Sequence, residues 1–247
     1  MVNRRQKAKE RIKNMSGHAI LGPSGAERWM NCTSSIRATQ EFIKRTGWVD
    51  ISSVYADTGT LAHSMMEVAL VHNLNPEVGF KDMQKYVKQY VDYVNHIRKG
   101  KEEDYKVHIE QRVRLSKNLW GTADTVMYHK GHLHIIDLKY GRSRVMPKEN
   151  KQLLIYAAAT IKTLYPNTKK VTLHIVQPRI NNFSEWSVSV GGIKKLSKRA
   201  KKQGKKALSG KGAEYRYSSK HCFFCPVKYE CEAYEVGSNP FSDTTRG

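Results

Sequence analysis

Apolar positions recur at helical spacing over the first hundred residues and at strand spacing beyond them. Pro23-Ser24 is a start signal, and the stretch from Ser24 to about Lys44 predicts a helix carrying Trp29 and Cys32. From Ser53 to His72, Ala62, Met65, Met66, Ala69 and Leu70 form a broad apolar stripe. From Pro76 to Lys99, Met83, Tyr86, Val87, Tyr90, Val94 and Ile97 form another, ended by Gly100, with a charged loop after it. Lys106 to Leu115 then alternates, Val107, Ile109 and Val113 against His108, Glu110, Arg112 and Arg114, as a half-buried strand does.

Trp120-Gly121 leads into two further alternating runs about a Lys130-Gly131 turn. Counting outward, His129 faces His132, Tyr128 faces Leu133, Val126 faces Ile135 and Asp124 faces Asp137, with opposed side chains on one side of the hairpin. Period two brings Lys139 to that side. Val126, Tyr128, Leu133 and Ile135 would pack, and Asp124, Asp137 and Lys139 would gather at the open end. Tyr140 to Met146 reads as a loop, and Pro147 suits the first turn of a helix running to about Leu164. Gln152 and Tyr156 lie one turn apart on that helix, beside a stripe of Leu153, Leu154, Ala157, Ala158, Ile161 and Leu164. Val171–Gln177 and Glu185–Val190 read as strands around Asn181-Asn182, and Ile193–Leu208 as a final helix. This order predicts an α/β (α+β) fold, a central mixed sheet flanked by helices.

Length bounds the architecture. At 247 residues one large domain is expected: a basic arm over 1–17, then a single domain over 18–247. Within the latter, 24–100 is helical, 106–190 is the core, 193–208 is a basic helix and 218–234 carries cysteines. Charge narrows the partner. With 43 Lys+Arg against 22 Asp+Glu the formal charge is +21, which points to a polyanion. The final helix concentrates it: Lys194, Lys195, Lys198, Arg199, Lys201, Lys202, Lys205 and Lys206 occur there with no acid, so it stands beside either solvent or phosphates. No apolar run approaches the ~20 residues that span a bilayer, so no membrane partner is expected. The amino end has basic residues and no apolar h-region, and a cytoplasmic location is expected.

Two acids directly opposed destabilise a sheet unless something holds them. A divalent cation would, since Mg²⁺ takes one or two carboxylates and leaves positions for water and phosphate. The bland alternative is a surface hairpin with an Asp–Lys pair and a solvated second acid. Glu110 and Gln111 on the preceding strand are further candidates near such an ion, and Glu67 is either a neighbour of its shell or a local cap.

Asp124 followed by Asp137-Leu138-Lys139 resembles the PD-(D/E)XK nuclease core. Gln152 and Tyr156 resemble the Q-x-x-x-Y pair of its RecB-like branch, and Gly59 to Glu67 (GTLAHSMME) resembles that branch's G-T-x-x-H segment. The likeness spans about Leu21 to Tyr234 and is nearest to compact phage-encoded members. It implies a metal-dependent deoxyribonuclease, an exonuclease acting on DNA ends or single strands with one or two Mg²⁺ or Mn²⁺ ions. His63, Asp124, Asp137 and the backbone carbonyl of Leu138 would bind metal. Lys139 would position or activate water, with Gln152 and Tyr156 assisting in the cleft. Asp137 stands where many relatives carry Glu. A recombination or replication protein is a candidate partner, and a phage-encoded chain would work in the host cytoplasm. The rival reading is a catalytically weak DNA-binding or recombination-accessory protein with the same basic surface.

Cys32, Cys222, Cys225 and Cys231 are the cysteines, the last three in a C-x₂-C-x₅-C group. Four thiols suit Zn²⁺ or an iron–sulfur cluster, and spacing alone does not choose. One cysteine before the core and three after it resemble the [4Fe–4S] staple of CRISPR-adaptation nucleases and AddB-type helicase-nucleases. The resemblance implies a structural cluster tying the two ends of the domain together.

Overall fold

The computed structural model describes residues 19–48, 54–75 and 80–239. The basic arm over 1–17 lies outside them, as do Ser53 and Pro76 at the starts of two expected helices. A 3₁₀ turn (Pro23–Gly25) and a short α1 (Ala26–Trp29) precede α2 (Ser35–Thr46), α3 (Val54–His72) and α4 (Lys81–Arg98). Strands β1 (Lys106–Ser116), β2 (Leu119–His129) and β3 (His132–Leu138) follow, then α5 (Lys151–Thr163), β4 (Lys170–Gln177), β5 (Asn182–Ser189) and α6 (Val190–Ser209). The described chain closes with α7 (Ser219–Cys222) and α8 (Glu232–Ser238).

The five strands form one mixed sheet in the order β1-β2-β3-β4-β5. β3 and β4 are parallel and the other neighbours antiparallel. Parallel strands need a crossover, and α5 supplies it. The hairpin has the expected register, Val126 opposite Ile135, Tyr128 opposite Leu133 and His129 opposite His132. Lys130 and Gly131 both have positive φ, 43° and 85°, the geometry of a tight hairpin turn that follows the strand twist.

Two cores lie on the two faces of the sheet. On one, Val126, Leu133, Ile135, Val171, Leu173 and Ile175 pack against Leu153 to Ala159 of α5, with α6 and Trp29 behind. On the other, Met127, Ile136, Leu138 and Val176 pack against Met66 of α3 and Met83, Val87, Tyr90 and Val94 of α4. The result is helices, sheet, helices. Across α6, Ile193, Ala200, Gly204 and Ala207 turn inward while Lys194, Lys195, Lys198, Lys201, Lys202 and Lys205 are exposed. A Cβ on Gly204 would meet Leu21 Cδ1 at 2.6 Å, so that glycine is what lets the basic helix pack closely.

Several expectations are corrected. The first helix is broken between Trp29 and Ser35. Ser34 N donates to Glu214 O, and Thr33 Oγ1 accepts from Glu214 N, so this stretch pairs with a distant segment and not along a helix. Pro147 does not open α5. Asn150 caps it, its Oδ1 accepting from Leu153 N at 3.2 Å, and three residues separate the proline from the helix start. Nor has α5 one polar edge: Leu153 through Thr160 are all buried, because the sheet and α6 cover both its sides. β5 begins earlier than expected, at Asn182, and α6 begins at Val190, capped by Ser189.

β1 does not keep one face inward. Val107 and Ile109 pack on the second core, and Val113 and Leu115 on the first, although period two would put all four together. The change of side falls at Glu110, whose φ of 47° is left-handed and uncommon for a residue with a side chain. The register passes from Ile109 opposite Thr125 to Gln111 opposite Ala123, so Glu110 and Asp124 face each other across an interruption in the ladder.

Candidate metal centre and cysteine cluster

The strand irregularity aims acids at one point. Asp124, one step beyond the Thr125–Ile136 pair, stands opposite Asp137. Its Oδ2 accepts from the amide of Leu138 at 2.7 Å, which fixes the buried carboxylate. His63, on α3, brings Nδ1 to 3.5 Å from Asp124 Oδ2 and 3.9 Å from Glu110 Oε1. Ligand atoms of His63, Glu110 and Asp124 all lie within 4.8 Å of one another, a grouping that could hold a metal ion. Glu110 Oε1 is buried and has no hydrogen-bond partner among the described residues, and neither has Asp137 Oδ1. Buried acceptors left open in this way are what a cation or its bound water would satisfy.

A polar chain adjoins the acids. Asp137 Oδ2 meets Lys139 Nζ at 2.7 Å, Lys139 Nζ donates to Gln152 Oε1 at 3.0 Å, and Gln152 Nε2 donates to Tyr156 OH at 3.3 Å. Tyr90 OH, beneath the sheet, donates to Thr125 Oγ1 at 3.0 Å and ties α4 to the strand that carries Asp124.

Charge in this cluster is internally balanced. Burial pushes Asp137 up to about 6, Lys139 pulling the other way and Asp124 adding to the rise. Burial works against the charge on Lys139, but Asp137 and Asp124 outweigh it and hold the ammonium above its ordinary value. Burial also disfavours charge on His63, yet Asp124 and Glu110 beside it raise it to about 10. Without a metal, His63 is therefore an imidazolium that serves as counter-ion to the acids. A metal taking its place must release that proton. Burial, then the charge of Asp137, keeps the Tyr156 phenol un-ionised.

The structure thus brings together His63, Asp124, Asp137, Lys139, Gln152 and Tyr156. Leu138 joins them through its amide. Asp137 stands beside the ion-sized grouping and holds Lys139. Glu110 completes that grouping, whereas Gln111 turns to donate to Arg112 O. Glu67 is exposed on α3 and outside the site. Gln177 gave no sequence signal of its role. Its Nε2 donates to Gly141 O and Ser143 O, both at 2.8 Å, and its Oε1 accepts from Val145 N at 3.1 Å. These bonds pin the loop that carries the exposed Arg142 and Arg144.

Cys32 joins the distant Cys222, Cys225 and Cys231 in lining one cavity, together with Arg28, Arg216 and Lys228. Cys32 lies between α1 and α2, Cys222 ends α7 and Cys231 precedes α8. All four are free thiols. Burial raises Cys32 and Cys225. Four soft donors with cations around them suit a metal group whose thiolate shell is net negative.

A mixed sheet between helical layers, with an acid–histidine grouping at a strand irregularity, defines an α/β protein with a candidate cation site. The chain belongs to the family described as "Protein of unknown function (DUF2800)", whose model matches residues 18–238. Among solved structures, a protein titled SSO0001 is similar at 12% identity and a TM-score of 0.40, over 85% of each chain. An alkaline exonuclease from Laribacter hongkongensis (LHK-Exo) is similar at 10% identity and a TM-score of 0.34, over 75% of this chain and 91% of that one. No helix among the described residues is long and apolar enough to cross a membrane.

Proposed function

We propose that the chain is a metal-dependent deoxyribonuclease that hydrolyses phosphodiester bonds at DNA ends or in single strands. The observation that carries this reading is the convergence of His63, Glu110 and Asp124 on one ion-sized space beside the Asp137–Lys139–Gln152 chain. Carboxylates and an imidazole suit Mg²⁺ or Mn²⁺. His63, Glu110 and Asp124 would hold the ion, with Asp137 and the Leu138 carbonyl bordering it. When bound, the metal supplies a water of lowered pKa and a Lewis acid at the phosphate.

The protein's own groups divide the remaining work. Lys139, held protonated by Asp137, places a positive charge where negative charge develops on the phosphate. Gln152 fixes the direction of that ammonium, and Tyr156 fixes Gln152. Asp124, anchored by the Leu138 amide, keeps one carboxylate oxygen directed at the ion. The exposed lysines of α6 and the pinned Arg142 and Arg144 would take phosphates without regard to sequence. We propose further that Cys32, Cys222, Cys225 and Cys231 hold a [4Fe–4S] cluster as a structural staple. Zinc is the alternative occupant of the same thiols.

The test is digestion of end-labelled linear and circular DNA by anaerobically purified protein, with and without Mg²⁺ or Mn²⁺. Linear DNA should be degraded only with metal. Asp137→Ala and Lys139→Ala should each abolish digestion and leave DNA affinity within about twofold. Binding without metal-dependent cleavage of linear, nicked or single-stranded DNA would establish a DNA-binding accessory protein instead.

A further inference from the structure

Three aromatic side chains stand in water where nothing in the fold requires them. Phe223 is 63% exposed, and Phe224 and Tyr229 are each 84% exposed. They flank Cys225 on the outer side of the cysteine segment. The two phenylalanine rings meet edge to face, centroids 4.7 Å apart at 84°. Lys228 Nζ lies 5.5 Å from the Phe223 centroid and 4.9 Å from that of Tyr229, so one ammonium sits between the rings. Solvated aromatic surface of this kind marks an interaction site.

The surrounding charge selects the partner. Lys220, three residues before Phe223, is exposed, and Arg28 Nη1 donates to Phe224 O at 3.0 Å, setting the backbone of that residue. Two acids of this surface already have cations: Glu230 pairs with Arg45, and Glu27 with Lys151 and Lys220. Flat apolar faces among lysines match a chain of unpaired bases, each offering a ring to stack and a phosphate to neutralise. A duplex hides its base faces along its length and offers them only at its ends.

The patch also connects to the acid cluster. Lys220 Nζ is 3.5 Å from Glu27 Oε1, and Lys151 Nζ is 2.8 Å from Glu27 Oε2. Lys151 opens α5, and its neighbour Gln152 receives the hydrogen bond from Lys139. Glu27 thus pairs both with a lysine of the segment that carries the rings and with the residue next to Gln152, whose Oε1 accepts from the lysine that Asp137 holds.

We propose that Phe223, Phe224 and Tyr229, with Lys220 and Lys228, form a stacking platform for an unpaired DNA strand on its way to the acid cluster. The proposal rests on the nuclease reading for the purpose of the platform, while its binding is measurable without any cleavage. Fluorescence anisotropy in EDTA compares a labelled oligothymidylate of about 20 nucleotides with a blunt duplex of equal length. Each base–aromatic stack is worth about five- to a hundredfold in affinity. The exposed double change Phe223→Ala/Phe224→Ala should weaken oligothymidylate binding at least about tenfold and change duplex affinity less than about twofold. Phe224→Trp should keep the affinity and show emission quenched by oligothymidylate, a change absent from the wild type. Unchanged oligothymidylate affinity in the double variant, equal loss for both DNAs, or no quenching would overturn the platform. So would loss of binding to phosphatidylserine vesicles with oligothymidylate affinity intact, which would make the patch a membrane contact. A wild type that binds oligothymidylate, with quenching in Phe224→Trp, but digests nothing in Mg²⁺ or Mn²⁺ would sink the nuclease reading and leave the platform standing. Digestion by wild type beside unchanged binding in the double variant would do the reverse.

Discussion

Replacing His63 with glutamine removes the counter-ion of three acids, and its cost can be worked from the site. The imidazole is raised from 6.5 to about 10 by Asp124 and Glu110 against the opposing effect of burial. That displacement corresponds to about 5 kcal/mol at about 1.4 kcal/mol per decade of proton affinity. The side chain is 32% exposed, and water screens the pair, so a value of about 2–3 kcal/mol is expected. A raised pKa stabilises the fold fully below the unfolded value of 6.5, and the contribution drains away as pH climbs to about 10. In EDTA, urea denaturation of the wild type should therefore show stability falling across that window. His63→Gln should start about 2–3 kcal/mol lower at pH 6 and approach the wild type near pH 10. Comparing the two cancels the cysteines, tyrosines and lysines that also titrate at high pH. A constant gap between the two proteins from pH 6 to 10 would refute the assignment of that proton to His63. Saturating Mn²⁺ should remove the wild type's slope by displacing the same proton.

Four further outcomes follow from particular contacts. Gly121→Ala would place a Cβ 2.9 Å from Pro23 Cδ and 3.1 Å from Tyr156 Cε1. It should cost about 1–3 kcal/mol by overpacking and reduce turnover through the Gln152–Tyr156 contact, and an unaltered Tm would contradict it. Gln177→Leu leaves two carbonyls and the Val145 amide without their partner, at about 1–3 kcal/mol. Limited trypsin digestion should then cut faster at Arg142 and Arg144, and an equal rate would argue against the pin. His134 and His174, lowered from 6.5 to about 3 chiefly by burial, stabilise the fold above 6.5 and lose that contribution as pH falls towards 3. Tryptophan-monitored denaturation should show this acid limb despite the opposite trend of Asp137, and constant stability from pH 6.5 to 4 would contradict it. Protein purified without oxygen should carry about four irons and absorb visible light, and Cys225→Ser should lose both with a lower Tm; equimolar zinc would replace the cluster by the simpler staple.

The hairpin was legible because its turn and its alternation agree. Lys130-Gly131 permits one tight turn, and Val126, Tyr128, Leu133 and Ile135 suit one register, so Asp124 had to stand opposite Asp137. The acid that completes the ion-sized grouping was legible only as a neighbour. Glu110 occupies a left-handed conformation usually taken by glycine or asparagine, and no residue in β1 announces the change of face. The break after Trp29 was hidden for a different reason: its hydrogen-bond partner, Glu214, is remote in sequence, and local helical propensity contains no trace of it. In α5, burial on all sides blurred the polar edge that Gln152 and Tyr156 seemed to share. Only Gln152 reaches solvent appreciably, and Tyr156 acts from within.

The early segment of the domain finds its partners very late. Thr33 bonds to a residue 181 positions further on, and Arg28 to one 196 positions further on. During synthesis on a ribosome, residues 28–34 therefore leave the exit tunnel with polar groups that only water can serve. They settle when the stretch from 214 to 224 arrives, long after the sheet has had time to assemble. A chain that ended before residue 214 would hold all five strands and lack this latch.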